Sequence, residues 1–195
     1  GSTAGVNDET INTSVDGGTN DGLNAEETST RTGYYMRKLL RQDVNLDPNS
    51  TNGQRHYKPH IRYTEIYLIY AEAANEAWGP DGTGTHAYSA RDVIDAIRSR
   101  AGIEPDDYLA SIGNKDDMRQ LIHNERRLEL CFEDFRFWDL RRWEKDLTET
   151  AMGVSIENGT PEVISVENRD YENYMYHGPV PYNEMLKFDA LIQNQ

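Results

Sequence analysis

Apolar residues recur at helical spacing from residue 61 onward. In IRYTEIYLIYAEAANEA (Ile61 to Ala77), Ile66, Ile69, Tyr70, Ala73 and Ala77 follow one another at steps of three and four. That pattern predicts a helix with this stripe turned toward a core. Alanines at 71, 73, 74 and 77 leave room for a second helix to come close. Gly79-Pro80 ends the segment, and a glycine-rich loop runs on to Thr85. A second helix is predicted near Ala90 to Ala101, with Val93, Ile94 and Ile97 on one face. Ser89 and Asp92 form a capping-box pattern before it, and Gly102 stands at its C′ position. A third begins near Lys115 behind Asn114, with acids at 116 and 117 in its first turn. Its expected core stripe is Met118, Leu121, Ile122, Leu128, Cys131 and Phe132, and Phe135 to Trp143 supplies a further helix. Helices paired in this way predict a mainly α fold of tetratricopeptide-like αα-hairpins with long loops, although the roughly 34-residue consensus of such repeats is not matched.

The ends of the chain read differently. Residues 1–33 are rich in Thr, Asn, Gly and Asp and have no period, so they are expected as an irregular N-terminal arm. YYMRKLL, from Tyr34, is an extended or short helical piece, and DPNSTNG (Asp47 to Gly53) is turn chemistry. Val154 to Pro181 predicts a small β or extended segment around Gly159-Thr160-Pro161, and Asn183 can cap a short last helix. The compositional step places a domain at 34–195 behind the arm at 1–33, which is read as part of a larger domain.

Charge narrows the chemistry. Lys and Arg number 20 against 34 Asp and Glu, a formal charge of −14. So acidic a surface repels phosphate backbones, and the arginines are interleaved with acids rather than gathered in a basic patch, which excludes nucleic acid as a partner. The single cysteine, Cys131, can form no intrachain disulfide and is expected as a buried thiol between Leu130 and Phe132.

The densest chemistry lies in NERRLELCFEDFRFWDLRRWEKD, Asn124 to Asp146. Glu125, Glu129 and Glu133 are spaced at four and would line one face of a helix. With Arg126, Arg136, Asp139 and Arg142 they are expected to form a structural ion-pair lattice between helices. A glycosidase using Glu125 and Glu129 is the enzymatic alternative, but a general acid needs a raised pKa and nearby arginines lower it. No catalytic residue is therefore assigned. No metal or cofactor is expected either. His56 and His60 are split by Pro59, the Asp47-Pro-Asn49-Ser-Thr51 run has Asn52 where a calcium loop needs glycine, and neither phosphate-cradling glycine loop nor GxSxG elbow occurs. Tyrosine is the commonest aromatic, at 12 residues. Tyr34, Tyr35, Tyr57 and Trp78 lie in or beside loops and are candidates for stacking on sugar rings, with core or interface packing as their other use.

Five blocks in order carry a resemblance: RTGYYMRKLL from Arg31, IRYTEIYLIYAEAANE from Ile61, VIDAIRSRAGI from Val93, NERRLELCFEDFRFWDLRRW from Asn124, and GPVPYNEMLKFDALIQNQ from Gly178. Together they resemble the C-terminal part of the SusD/RagB family of outer-membrane glycan-binding lipoproteins. The resemblance implies a helical scaffold at the cell surface of Bacteroidetes-type bacteria. It also implies non-catalytic capture of oligosaccharide or polysaccharide in nutrient uptake, with delivery to a SusC-type TonB-dependent transporter. Membrane attachment would run through an N-terminal lipid absent from these residues. A helical-repeat protein-interaction module that binds no sugar itself is the alternative. Asp134 stands where the family often has glycine, and the chain ends QNQ where QNPG is usual, which implies a natural or nearly natural C-terminus.

Overall fold

A computed structural model describes residues 10–41, 43–44, 49, 52–55 and 57–194. Of the turn expected over 47–53, residues 47, 48, 50 and 51 lie outside the described residues, as does His56. The described elements are mainly helical: α1 (Tyr63–Trp78), α2 (Ala90–Arg100), α3 (Asp107–Ser111), α4 (Lys115–Glu129), α5 (Arg136–Arg142), β1 (Ala151–Glu157), β2 (Thr160–Glu167), a 3₁₀ turn at Asn173–Tyr176, and α6 (Tyr182–Met185). Two compact units share them, one of residues 57–139 and one of residues 1–56 with 140–195. This division differs from the compositional step at 33/34, which remains a proposal about domain extent.

In the unit of residues 57–139, α1 packs on both α2 and α4. The core joins Leu68, Ala71 and Ala74 of α1, Val93, Ile94 and Ile97 of α2, and Met118, Leu121 and Ile122 of α4, with Leu109, Ile112 and Leu130 closing it. Each fully buried aliphatic side chain here contributes about 1.5–3 kcal/mol. The capping box of α2 forms, with Ser89 Oγ accepting from Asp92 N and the Asp92 carboxylate accepting from Ser89 N. Asn114 caps α4 by accepting from Asp117 N at 2.9 Å.

Three details depart from the sequence pattern. The α1 stripe of Ile66, Ile69, Ala73 and Ala77 faces outward, and Thr64, Leu68, Ala71, Ala74 and Asn75 are buried instead. Both stripes have helical period, and α2 and α4 cover the one rich in small residues. In α4 the core stripe ends early: Leu128 and Phe132 are exposed and Cys131 is half-buried. The helix stops at Glu129, and positive φ at Phe132 (+61°) and Asp134 (+70°) turns the chain so that Leu130 reaches the core. Lastly, α3 was not anticipated; Asp106 caps it by accepting from Leu109 N at 3.0 Å.

In the other unit, β1 and β2 form a two-stranded antiparallel hairpin, with Val154 opposite Val163 and an irregularity between Ala151 and Met152. Its turn is Asn158-Gly159, both at positive φ as a tight hairpin requires. Residues 10–33 are held against β1 by backbone bonds, Val154 N to Thr32 O and Val15 N to Ile156 O, each 2.9 Å. Within the arm, Ser29 Oγ donates to Asn20 O at 2.6 Å and Thr30 Oγ1 donates to Tyr34 O at 2.8 Å. α6 begins at Tyr182 behind Pro181, so Asn183 lies inside the helix instead of capping it.

Candidate functional site

The glycine-rich loop between α1 and α2 builds an aromatic platform. Trp78 is the last residue of α1 and 43% exposed. The loop folds back on its ring at Gly84, where a Cβ would stand 2.5 Å from Cε2 and Cζ2 and where φ is +56°. Glycine is thus required twice over, by approach and by backbone conformation. The His86 ring lies 5.4 Å from the indole, and Tyr70 meets His86 edge-on at 6.0 Å. Tyr70 is fixed in turn by its hydroxyl, which donates to Tyr88 O at 2.6 Å.

The same loop and the start of α2 carry an ion pair. Arg91 Nε donates to Asp81 Oδ1 at 2.6 Å and Nη2 to Ile112 O at 2.6 Å, with Leu109 O as a third partner. The hydrogen bond from Arg91 holds the Asp81 carboxyl below its usual range, while its side chain stays largely in solvent. An exposed ring face can stack on the C–H face of a sugar, and a solvent-facing carboxylate of the same loop can accept from sugar hydroxyls. Of this group the sequence pointed to Trp78 alone. His86, Tyr88 and Asp81 were not singled out, although the glycines at 79, 82 and 84 marked a loop able to approach a ring closely.

The other candidate aromatics are placed separately. Tyr57 belongs to the helical unit and is 72% exposed. Tyr34 and Tyr35 belong to the unit of the arm and hairpin. Tyr34 is 65% exposed, whereas Tyr35 is half-buried, its hydroxyl accepting from Thr30 N at 3.1 Å and donating to Asp21 O at 3.3 Å. Tyr35 therefore braces the arm. The same unit carries a depression of about 560 Å³ lined by Asn24, Ala25, Glu26, Glu27, Ser29 and Arg31, without an aromatic side chain.

The charged stretch forms ion pairs reaching several elements. Glu125 accepts from Arg98 Nη1 at 2.6 Å, and Arg98 also grips Asp106. Glu129 accepts from Arg100 Nη2 at 2.7 Å. Glu133 accepts a fork from Arg62 Nε and Nη2, both at 2.8 Å, and Arg62 Nη2 also donates to Glu129 O at 2.7 Å. Arg126 donates through Nε to Asp139 at 2.7 Å, with its Cζ 5.3 Å from the Phe135 ring centroid. Arg136 and Arg142 stand at the two ends of α5, and Arg142 lies over the Trp143 ring at 4.6 Å. Arg62, Arg98 and Arg100 were absent from the lattice read in the sequence, because nothing in a linear pattern brings them to α4. The Arg98 hydrogen bond, the largest influence on Asp106, holds that carboxyl below its ordinary range. Among the described residues no group of three or more His, Cys, Asp or Glu is placed to hold a metal ion, and no helix is long and apolar enough to cross a membrane.

SusD-like protein P38 of Formosa agariphila is 34% identical over 85 residues, 44% of this chain and 16% of that protein. SusD-like protein P25 of the same organism is 26% identical over 160 residues, 82% of this chain and 27% of that protein. The crystal structure of a SusD-like protein from Bacteroides fragilis matches with a TM-score of 0.64 at 31% identity, covering 85% of this chain and 31% of that one. The chain thus spans less than a third of the length of these relatives. With residues 3–195 matching the SusD family throughout, the chain belongs to that family.

Proposed function

We propose that this chain is part of a non-catalytic glycan-capture protein on the bacterial outer-membrane surface, delivering oligosaccharide or polysaccharide to a SusC-type TonB-dependent transporter. The observation that carries this reading is membership of the SusD family across residues 3–195. The Trp78 platform supports it as the place where this segment touches sugar, and Tyr57 and Tyr34 are secondary contacts. Membrane attachment through an N-terminal lipid belongs to the same proposal. Glu125 and Glu129 serve as framework, because each is committed to an arginine.

Affinity electrophoresis of the longest polypeptide carrying this sequence, through gels containing a broad panel of polysaccharides, tests the reading. Retardation by at least one is expected, with no new reducing ends released; no retardation by any overturns it. Trp78→Ala is expected to weaken that binding about tenfold or more, the usual effect of losing a stacked aromatic anchor. Undiminished binding removes the platform and leaves the capture reading standing. The second reading, a protein-interaction module without sugar binding, has the exposed aliphatic face of α1 in its favour.

A further inference from the structure

We propose that the depression formed by residues 24–31 is a further carbohydrate subsite, which grips a neutral sugar unit by its hydroxyl edge. The subsite rests on the glycan-capture reading and adds to it a contact in the unit of the arm and hairpin. Its lining is Asn24, Ala25, Glu26, Glu27, Ser29 and Arg31, around a volume of about 560 Å³. Small-molecule sites span about 300–1,000 Å³.

The loop is a braced frame without helix or strand. Asn24 N donates to Thr30 O at 2.9 Å, Ser29 N to Glu26 O at 3.1 Å, and Glu26 N to Ser29 Oγ at 2.9 Å. The Tyr35 hydroxyl joins Thr30 N to Asp21 O, and Leu23, Ser29 and Thr30 are buried. Asn24 itself stands at φ +54°, in the left-handed region. All of these bonds are made by backbone atoms and by buried or bracing hydroxyls. The outward side chains are left over: among the described residues, those of Asn24, Glu26, Glu27 and Arg31 have no hydrogen-bond or ion-pair partner. Arg31 shares one depression with two glutamates and pairs with neither, so the frame holds opposite charges apart and available.

This mixture of groups selects the ligand class. The Arg31 charge opposes a metal cation, the two glutamates oppose an anion, and the scarcity of apolar lining opposes a hydrophobic ligand. A neutral polyol suits what remains. Each sugar hydroxyl both donates and accepts, and the lining answers with carboxylates that accept, a guanidinium fork that donates and an amide that does both. A frame already fixed by its own hydrogen bonds lowers the cost of ordering on binding.

The test is affinity electrophoresis of the longest polypeptide carrying this sequence, in gels of the neutral polysaccharide that retards it most. Asn24→Gly, Glu27→Gln and Arg31→Gln are compared with the unaltered protein. Asn24→Gly keeps the left-handed backbone and removes only the amide. Each variant is expected to raise the apparent dissociation constant about threefold or more, as the loss of a hydrogen bond does, with its melting temperature unchanged. Full retardation of all three variants overturns the subsite and leaves the capture reading standing. Weakening confined to variants that melt lower overturns it as well, since the frame and not the contact is then lost. Retardation by anionic polysaccharides alone, or only with added calcium, also overturns the subsite alone. No retardation of the unaltered protein by any polysaccharide overturns both.

Discussion

At the residue scale, Arg98 and Asp134 show how few side chains hold the helical unit in register. Arg98 bridges Asp106 and Glu125, whose side chains are only 5% and 7% exposed. Arg98→Met strands two buried carboxylates, and a loss of about 3–5 kcal/mol in chemical denaturation is expected; a loss under about 1 kcal/mol would show that solvent reaches both. Asp134 sits at φ +70°, in the left-handed region. The glycine that the resemblance to the family implies at this position would meet the same backbone conformation without strain. Asp134→Val is expected to be about 1–2 kcal/mol less stable than Asp134→Gly, read from denaturation midpoints. Glu76 has its pKa lowered from 4.5 to about 2, chiefly by the Arg119 hydrogen bond and then by Lys115. Since the unfolded chain takes up this proton at higher pH, the contribution of Glu76 is complete above its ordinary value. It is lost as pH falls toward about 2. Glu76→Gln should flatten that part of the acid limb when stability is followed downward from neutral pH, and an unaltered limb would refute the assignment.

At the scale of elements, sequence periodicity located α1, α2 and α5 to within a residue or two and the start of α4 at Lys115, since caps and stops such as Ser89, Asn114 and Gly79-Pro80 act locally. The end of α4 differs, because the helix stops at Glu129, short of the Phe132 that its stripe predicts. Periodicity could not say which side of α1 is buried. Leu68 and Ala71 repeat with the same period as Ile66 and Ile69, and only the partners decide between them. Nor did it find α3, five residues long, which depends on its Asp106 cap and on Arg91 bonding to Leu109 O and Ile112 O. The hairpin and arm show the same dependence on tertiary contacts. At Gly33, where φ is +77°, a Cβ would stand 1.9 Å from Val154 O. Gly33→Ala is therefore expected to pull the arm from β1. Hydrogen exchange at the Val154 amide, bonded to Thr32 O, should quicken at least about tenfold while α4 amides keep their rates. Unchanged protection at Val154 would mean the arm is held some other way.

For the molecule as a whole, the five sequence blocks were enough to point to the SusD family, while the candidate site stayed largely illegible. The three helical blocks, from Ile61, Val93 and Asn124, encode framework: buried cores and ion pairs that leave a strong linear trace. The Trp78 platform is made by a loop returning on a ring, and its other members, His86 and Asp81, are ordinary residues until the fold assembles them. A formal charge of −14 adds a condition on the ligand. Capture of a neutral glycan should be nearly insensitive to salt over the range where screening of exposed charges changes most, whereas an anionic polysaccharide should bind better as salt rises. Affinity electrophoresis at two ionic strengths separates these, and weakening with salt would indicate a locally basic site. The arm brings out a last consequence. Its bonds to β1 run between backbone atoms, with Gly33 and Gly153 as the tight points, where added side chains would collide with Val154 and Thr32. Relatives can therefore replace many of the arm's side chains without redirecting its path, leaving that surface open to rapid evolutionary change while the two glycines stay in place.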